Sequence, residues 1–89
     1  MKSVTTAKFR QGFAKLPAKV QQQSRIAYCL FKKNPNHPSL CFKKVHPKLP
    51  IYSVRITKDY RAVGQLDENI VIWFWIGSHA EYDKLLSGL

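Results

Sequence analysis

Two side chains of this sequence, Arg61 and His79, have the chemistry needed to bind a phosphate and to move a proton. A guanidinium offers a planar fork of N–H donors that matches two phosphate oxygens at once. An imidazole exchanges a proton near neutral pH. His79 follows an apolar stretch and opens a helical pattern, where the free backbone N–H groups of a helix start also favour an anion. These residues predict a site that acts on a phosphodiester.

RNA suits such a site because it carries its own nucleophile, the 2′-hydroxyl. A protein that cuts RNA must accept that proton, protonate the leaving 5′-oxygen and offset the charge of the phosphorane. We expect Arg61, helped by Arg55 on the preceding strand, to hold the phosphate. His79 is expected to act as general acid or base, and Tyr82, three residues further along the helix, to stack on a base or donate to the phosphate. The resulting transesterification leaves a 2′,3′-cyclic phosphate and needs no metal or other cofactor.

Each of these assignments has a plainer alternative. Arg61 could form a salt bridge with Asp59 or simply lie solvated on its strand. His79 could be a surface histidine beside a helix cap, and Tyr82 could pack in the core. Glu81 fits the S-x-x-E pattern of a capping box better than it fits a general base. The two other histidines lie in proline-bounded loops and are weaker candidates: His37 and His46.

The distribution of charge is strongly one-sided. The chain has 15 Lys and Arg against 5 Asp and Glu, for a formal net charge of +10. Residues 1–58 contain ten Lys, three Arg and no acidic residue, whereas all five acids lie in residues 59–89. Local ion pairs cannot neutralise such a block, so it favours a polyanionic partner: nucleic acid, an acidic protein segment or an anionic membrane. A lysine-rich surface that serves solubility alone is the alternative.

Three lysines are expected to add to the phosphate-binding surface: Lys43, Lys44 and Lys58. Lys43 and Lys44 are neighbours on one strand, and alternation directs neighbouring side chains to opposite faces. Only one of the two is therefore expected to face a ligand.

The elements that must position these residues form an α+β pattern. Apolar residues at helical spacing predict a helix from Thr5 to Lys15, with Thr5 or Thr6 as its N-cap. A second helix is predicted from Pro17 to Lys33, and the proline-rich segment 34–38 ends it. The two make a helical hairpin.

Residues 39–77 read as strands at 40–45, 51–57, 60–66 and 70–76, in the order of an antiparallel meander. The last of these is apolar throughout, as in a central strand covered on both faces. A short helix follows Ser78. We therefore predict a helical hairpin packed on an antiparallel sheet of three to four strands, with a short C-terminal helix.

Length and composition bound the class of protein. Eighty-nine residues make one domain, residues 1–89, and 45% hydrophobic residues suffice for a core. Cys29 and Cys41 match no metal-binding spacing and lie in apolar stretches, so buried free thiols are expected. The absence of an apolar leader or an 18-residue apolar run favours a cytoplasmic protein that does not use a membrane.

The segment Arg55-Ile56-Thr57-Lys58-Asp59-Tyr60-Arg61 resembles the R-x-x-x-D-Y-R strand pair of RelE/ParE-type toxins. The segment Ile76-Gly77-Ser78-His79-Ala80-Glu81-Tyr82 resembles the I-G-H-x-x-x-Y closing strand and helix of the same family. The order of the predicted helices and strands also agrees, so the resemblance covers nearly the whole chain. One residue more than the commonest family spacing lies between Arg55 and Tyr60, which leaves the register of Arg55 open.

The resemblance implies a RelE-like fold and the toxin role of a type II toxin–antitoxin pair. It implies a cognate antitoxin, for which the charge predicts an acidic segment, and metal-free cleavage of mRNA, often on the ribosome. Some members of the superfamily instead poison DNA gyrase without cutting RNA. An inactive RNA-binding relic is a third reading, since no carboxylate stands out as general base.

Overall fold

Five strands form one mixed sheet in the order β1-β5-β4-β3-β2. The computed structural model describes residues 1–89 and has strands at Lys2–Thr5 (β1), Lys43–Lys44 (β2), Ile51–Thr57 (β3), Tyr60–Asp67 (β4) and Ile70–Ser78 (β5). β1 runs parallel to β5, and the other neighbours are antiparallel. As the apolar sequence of β5 predicted, this strand lies inside the sheet, between β1 and β4.

Two helices precede the long strands and one follows them: Ala7–Ala14 (α1), Ala18–Lys33 (α2) and His79–Ser87 (α3). Thr6 caps α1, since its hydroxyl accepts a hydrogen bond from the Phe9 N–H. Pro17 lies just before α2, and Asn34 ends it. No transmembrane helix is present, because even α2, the longest helix at 16 residues, is shorter than a bilayer span of about 20 apolar residues.

The two faces of the sheet carry separate hydrophobic clusters. The face covered by α1 and α2, here called the hairpin face, holds Phe31, Leu40, Val54, Ala62, Val71, Trp73 and Ile76. The opposite face, here called the α3 face, holds Ile51, Val63 and Tyr82. Alternation along β3 and β4 produces this division, because neighbouring residues such as Ala62 and Val63 point to opposite sides. The predicted α+β arrangement is confirmed.

A β-bulge in β5 places its two tryptophans on opposite faces. Val63 pairs with Trp75, but the next residue of β4, Gly64, pairs with Trp73, so Phe74 is the extra residue. Without the bulge, simple alternation would put both tryptophans on one face. The Trp73 indole lies across Gly64 on the neighbouring strand, where an added Cβ atom would be 2.8 Å from the ring. Only glycine leaves room for that crossing.

The sheet differs from the prediction at its two edges. It has five strands instead of three or four, because residues 2–5 pair with β5. The segment expected as a strand over 40–45 is mostly irregular: a short 3-10 helix occupies Pro38–Leu40, and β2 is only Lys43–Lys44.

The two cysteines are exposed and free, not buried as expected, because Cys29 lies on the outer side of α2 and Cys41 follows the 3-10 helix in a left-handed conformation.

Candidate functional site

Arg55 and Arg61 lie directly opposite each other on neighbouring strands. Their Cα atoms are register partners in the β3–β4 ladder, and a bulge follows at once between Arg55 and Thr57. The bulge leaves Ile56 without a register partner and fixes the position of Arg55 opposite Arg61. Directly opposed residues of an antiparallel pair share a face. Arg61 and Arg55 alternate with Ala62 and Val54 of the hairpin face, so the backbone directs both arginines to the α3 face. Arg55 lies beyond the end of β2 at the open edge of the sheet, where it also lines a small pocket with residues of α2.

The guanidinium of Arg61 is held in place by backbone oxygens. Its Nη1 donates to the carbonyl of Thr57 at 2.5 Å and to that of Tyr60 at 3.0 Å, so the side chain turns toward the β3–β4 hairpin. The Nε and Nη2 donors make no hydrogen bond within the chain, and half-burial limits the rotation of the group. A fixed guanidinium with unused donors suits bidentate binding of a phosphate.

Neither arginine has an acidic partner. One acid–base side-chain contact is present, between His79 and Asp83, and no lysine or arginine lies within 4 Å of a carboxylate. The alternative of an Arg61–Asp59 salt bridge is therefore wrong. Like charges placed opposite each other on a sheet repel. An anion bound between Arg55 and Arg61 would relieve that repulsion.

His79 stands at the first position of α3, beside the same end of the sheet. Its backbone N–H donates to the carbonyl of Asp59 at 2.7 Å, and Gly77, two residues before it, pairs with Arg61. A Cβ atom on Gly77 would contact Glu81 of α3, which shows that this helix lies over the same face. The backbone thus places Arg61 near the start of β4 and His79 just after the neighbouring end of β5.

Asp83 was missed by the sequence reasoning. Its Oδ2 lies 3.3 Å from Nδ1 of His79, one helical turn away, and both side chains are about half exposed or more, at 64% and 47%. The carboxylate therefore lies beside the Nδ1 side of the ring, and Nε2 has no partner in the chain. The signal was present in the spacing, since residues i and i+4 of a helix are neighbours.

Tyr82 is buried, which corrects its expected contact with substrate. It is 7% exposed, and its hydroxyl donates to Oγ of the buried Ser53 at 3.1 Å. Its ring meets that of His79 edge to face, with the centroids 5.7 Å apart. Tyr82 thus fixes α3 to β3 and supports His79, because helical spacing turned it into the core and not toward solvent.

The aromatic ring of Trp75 is more accessible than that of Tyr82. It is half-buried on the α3 face, and its ring passes so close to Gly77 that a Cβ there would lie 2.7 Å from it. Gly77 is the register partner of Arg61, and the indole also lies beside the Tyr82 ring, with the centroids 6.4 Å apart. A sequence pattern could not have shown this, because the bulge at Phe74 determines which way Trp75 points.

The three candidate lysines are exposed and differ in direction. Lys43 pairs with Ser53, whose hydroxyl meets Tyr82, so Lys43 belongs to the α3 face. Lys44 pairs with Tyr52, which stacks on Phe42 of the hairpin side, so the structure does not bring Lys44 to the arginines. Lys58 lies in the two-residue turn between β3 and β4, outside the strands. We call the group formed by Lys43, Arg55, Arg61 and His79, together with Lys58 of this turn, the basic face.

Two predicted loop histidines have structural roles. Nδ1 of His37 accepts the backbone N–H of Ser39 at 3.2 Å, and Nδ1 of His46 accepts that of Leu49 at 2.8 Å. Both rings therefore cap turns. No group of three or more His, Cys, Asp or Glu side chains converges in a way that could hold a metal ion.

Glu81 forms the predicted capping box. Its carboxylate accepts hydrogen bonds from the hydroxyl of Ser78 at 2.9 Å and from the Ser78 N–H at 3.2 Å, while its own N–H donates to that hydroxyl at 3.3 Å. The hydrogen bonds from Ser78, the hydroxyl first and the backbone second, hold the pKa of the Glu81 carboxyl below its ordinary 4.5. A carboxylate so engaged stabilises the start of α3, on which His79 depends.

The Glu81→Gln variant is expected to unfold more easily than the wild type near neutral pH. A lowered folded-state pKa means that the ionised carboxylate stabilises the fold above 4.5, and that this gain is lost as pH falls through the lowered value. Urea unfolding in a series of buffers from about pH 7 downward should therefore show a difference that shrinks as the pH falls below 4.5. Asp67→Asn, an exposed change at the end of β4, is the matched control, and a pH-independent difference for Glu81→Gln would contradict this account.

Comparison with known proteins supports the family and the fold. Residues 18–84 match the family model of the ParE-like toxin domain. No curated protein matches the sequence. A chain of the RelB–RelE antitoxin–toxin complex from Methanococcus jannaschii superposes with a TM-score of 0.74 at 11% identity, over 92% of this chain and 96% of that one.

Two further structures have the same fold. YafQ from E. coli gives a TM-score of 0.71 at 13% identity, covering 91% of this chain and 96% of YafQ. A chain of the E. coli RelBE toxin–antitoxin complex gives 0.65 at 16% identity, covering 85% and 93%. At these identities the likeness establishes a RelE-like fold.

Proposed function

This chain belongs to the family of ParE-like toxin domains, and we propose that it is an endoribonuclease toxin that cuts mRNA without a metal. The observation that carries the proposal is the pair of arginines, Arg55 and Arg61, which share a face with His79 and have no carboxylate partner. Cutting mRNA, in association with the ribosome, would stop translation. The solved relatives in complex with antitoxins support a cognate antitoxin as the inhibitor.

The roles follow from the positions of the groups. Arg61, with its unused donors, binds the scissile phosphate and offsets the charge of the phosphorane, and Arg55 assists from β3. Nε2 of His79 exchanges a proton with the 2′-hydroxyl or with the leaving 5′-oxygen, while Asp83 orients the ring. Tyr82 is a positioning residue that holds α3 in place, and Trp75 is the ring on which a base stacks. Lys43 and Lys58 extend the phosphate-binding surface.

Induced expression followed by primer extension tests the proposal. We expect new 5′ ends in cellular mRNA within minutes of induction, and no such ends when an Arg61→Ala variant is induced. The purified protein should cut RNA in the presence of EDTA and leave 2′,3′-cyclic phosphate ends. Growth arrest with intact mRNA and a DNA-damage response would instead identify a gyrase poison, and harmless expression would identify an inactive relic.

A further inference from the structure

A small pocket of about 180 Å³, here called the edge pocket, opens between α2 and the outer edge of β3. Apolar and polar side chains line it together, among them Gln23, Ile26, Leu30, Ser39, Arg55 and Ile56. Sites for drug-sized ligands begin at about 300 Å³, so the edge pocket is too small for one. Its volume corresponds to the share of roughly six water molecules in the liquid, which suits a single flat heterocycle.

A β-bulge connects the edge pocket with the arginine pair. Arg55 is the register partner of Arg61, and Ile56, the next residue, has no partner in the ladder. Bulges turn side chains away from the directions of a regular strand. Arg55 and Ile56 accordingly both line the edge pocket, although they are neighbours on one strand. One guanidinium is therefore shared between the arginine pair and the pocket.

The sheet has an open edge at this point. β2 pairs only with Tyr52 and Ser53, so the rest of β3 has no strand neighbour on that side. The outward N–H and C=O groups of an unpaired strand are available to another molecule. A chain that crosses the strand ends would pass His79, Arg61 and Arg55 in turn, moving about 4.8 Å with each strand. It would then arrive at the edge pocket.

Gln23 supplies the pocket with a donor and an acceptor side by side. The side-chain amide of Gln21 donates to the carbonyls of Phe13 and Ala14, whereas that of Gln23 makes no hydrogen bond within the chain. A glutamine amide of this kind pairs bidentately with the amino group and ring nitrogen of adenine. Ile26, which is 62% exposed, adds apolar surface against which a base can pack.

The charge around the edge pocket favours nucleic acid. All eight lining residues lie within residues 1–58, which contain no acidic residue. Arg55 has no carboxylate within 4 Å, so its guanidinium is available to a phosphate. A guanidinium beside an apolar wall and a free amide matches the two parts of a nucleotide, its phosphate and its base.

We propose that the edge pocket holds one base of the RNA strand, with a preference for adenine, from the nucleotide next to the scissile phosphate. Gln23 reads the base, and Arg55 binds the phosphate of the same nucleotide while Arg61 binds the scissile one. The inference deepens the proposed function and rests on it, because it takes single-stranded RNA to be the ligand. The edge pocket then determines where the strand is cut.

The choice of cleavage sites in a random-sequence RNA tests the role of Gln23. The wild type should cut beside adenine about five-fold or more faster than beside uracil, the discrimination of one bidentate pair, and Gln23→Ala should lose this preference. Gln22→Ala changes an exposed glutamine of the same helix outside the pocket and should keep it. Alanine suits a helix, so both variants should fold. Equal cutting beside all bases by the wild type, or a preference that Gln23→Ala keeps or that both variants lose, would overturn the assignment.

Nucleotide binding separates the edge pocket from the cleavage reaction. In an NMR titration, adenosine monophosphate should shift the backbone amides of Gln23, Ile26 and Ile56, and uridine monophosphate should shift them less at equal concentration. The Gln23→Ala variant should lose this difference, and the control variant should retain it. Shifts confined to the surroundings of His79, or equal shifts with both nucleotides, would contradict the proposal. If the chain cuts no RNA, the proposed function fails, yet the titration still decides whether the edge pocket takes a base.

Discussion

Replacing Arg61 by alanine is expected to slow the cleavage of RNA by about 100- to 1,000-fold, the loss typical of removing one preorganised donor from a transition state. The guanidinium is already positioned by the carbonyls of Thr57 and Tyr60, so it does not have to reorganise when charge develops on the phosphorane. Its Nε and Nη2 donors have no hydrogen-bond partner in the chain and remain available to a phosphate. Single-turnover cleavage of a short RNA by the purified variant measures the effect.

Two further variants separate charge from geometry at this position. Arg61→Lys keeps the cation but lacks the planar fork, so it should recover only part of the rate. Lys58→Ala removes a neighbouring exposed cation from the same hairpin and should weaken RNA binding without a comparable loss of rate. Since Arg61 also links two backbone carbonyls, thermal unfolding of each variant is needed. An Arg61→Ala protein that melts like the wild type and cuts at the wild-type rate would remove Arg61 from the site.

Local signals in the sequence were sufficient for the helices and for the start of α3. Pro17 and the Asn34-Pro35 pair limit α2 because proline cannot continue a helix, and the structure ends it there. The Ser78–Glu81 capping box is likewise a contact between residues three apart. Such features need no knowledge of the rest of the fold.

Features that depend on pairing between distant segments were missed. β1 has four residues and one strongly apolar side chain, Val4, so its strand character comes from parallel pairing with β5. The bulge at Phe74 depends on the register of β4 against β5, and it alone separates Trp73 from Trp75. Period-two reasoning assumes a regular ladder, and it fails wherever one residue is left unpaired.

The same distinction between local signals and distant contacts applies to the site residues. The placement of Arg61 beside the start of α3 followed from strand order, and the structure has both on one face. The burial of Tyr82 and the pairing of Asp83 with His79 depend on how α3 is rotated about its axis over β3. That rotation is set by the hydrogen bond from Tyr82 to Ser53, a contact between residues 29 apart in sequence.

Removing the His79 imidazole is expected to slow cleavage about 100-fold or more, as for a group that transfers a proton in the transition state. The side chain is 47% exposed, the Asp83 carboxylate lies beside its Nδ1, and Nε2 has no hydrogen-bond partner in the chain. His79→Ala leaves the capping box of Ser78 and Glu81 intact, and alanine suits a helix. Rates with purified RNA, measured beside thermal unfolding, isolate the chemical role.

Chemical rescue separates proton transfer from mere support of the helix. Added imidazole should restore part of the rate to His79→Ala, because the exposed site can admit a free ring, and should not restore Arg61→Ala. Asp83→Asn should lose less than His79→Ala, since the imidazole remains and only its orientation is weakened. If His79→Ala cuts RNA at the wild-type rate, or if imidazole rescues both variants equally, proton transfer must be assigned to a group other than His79 on the basic face.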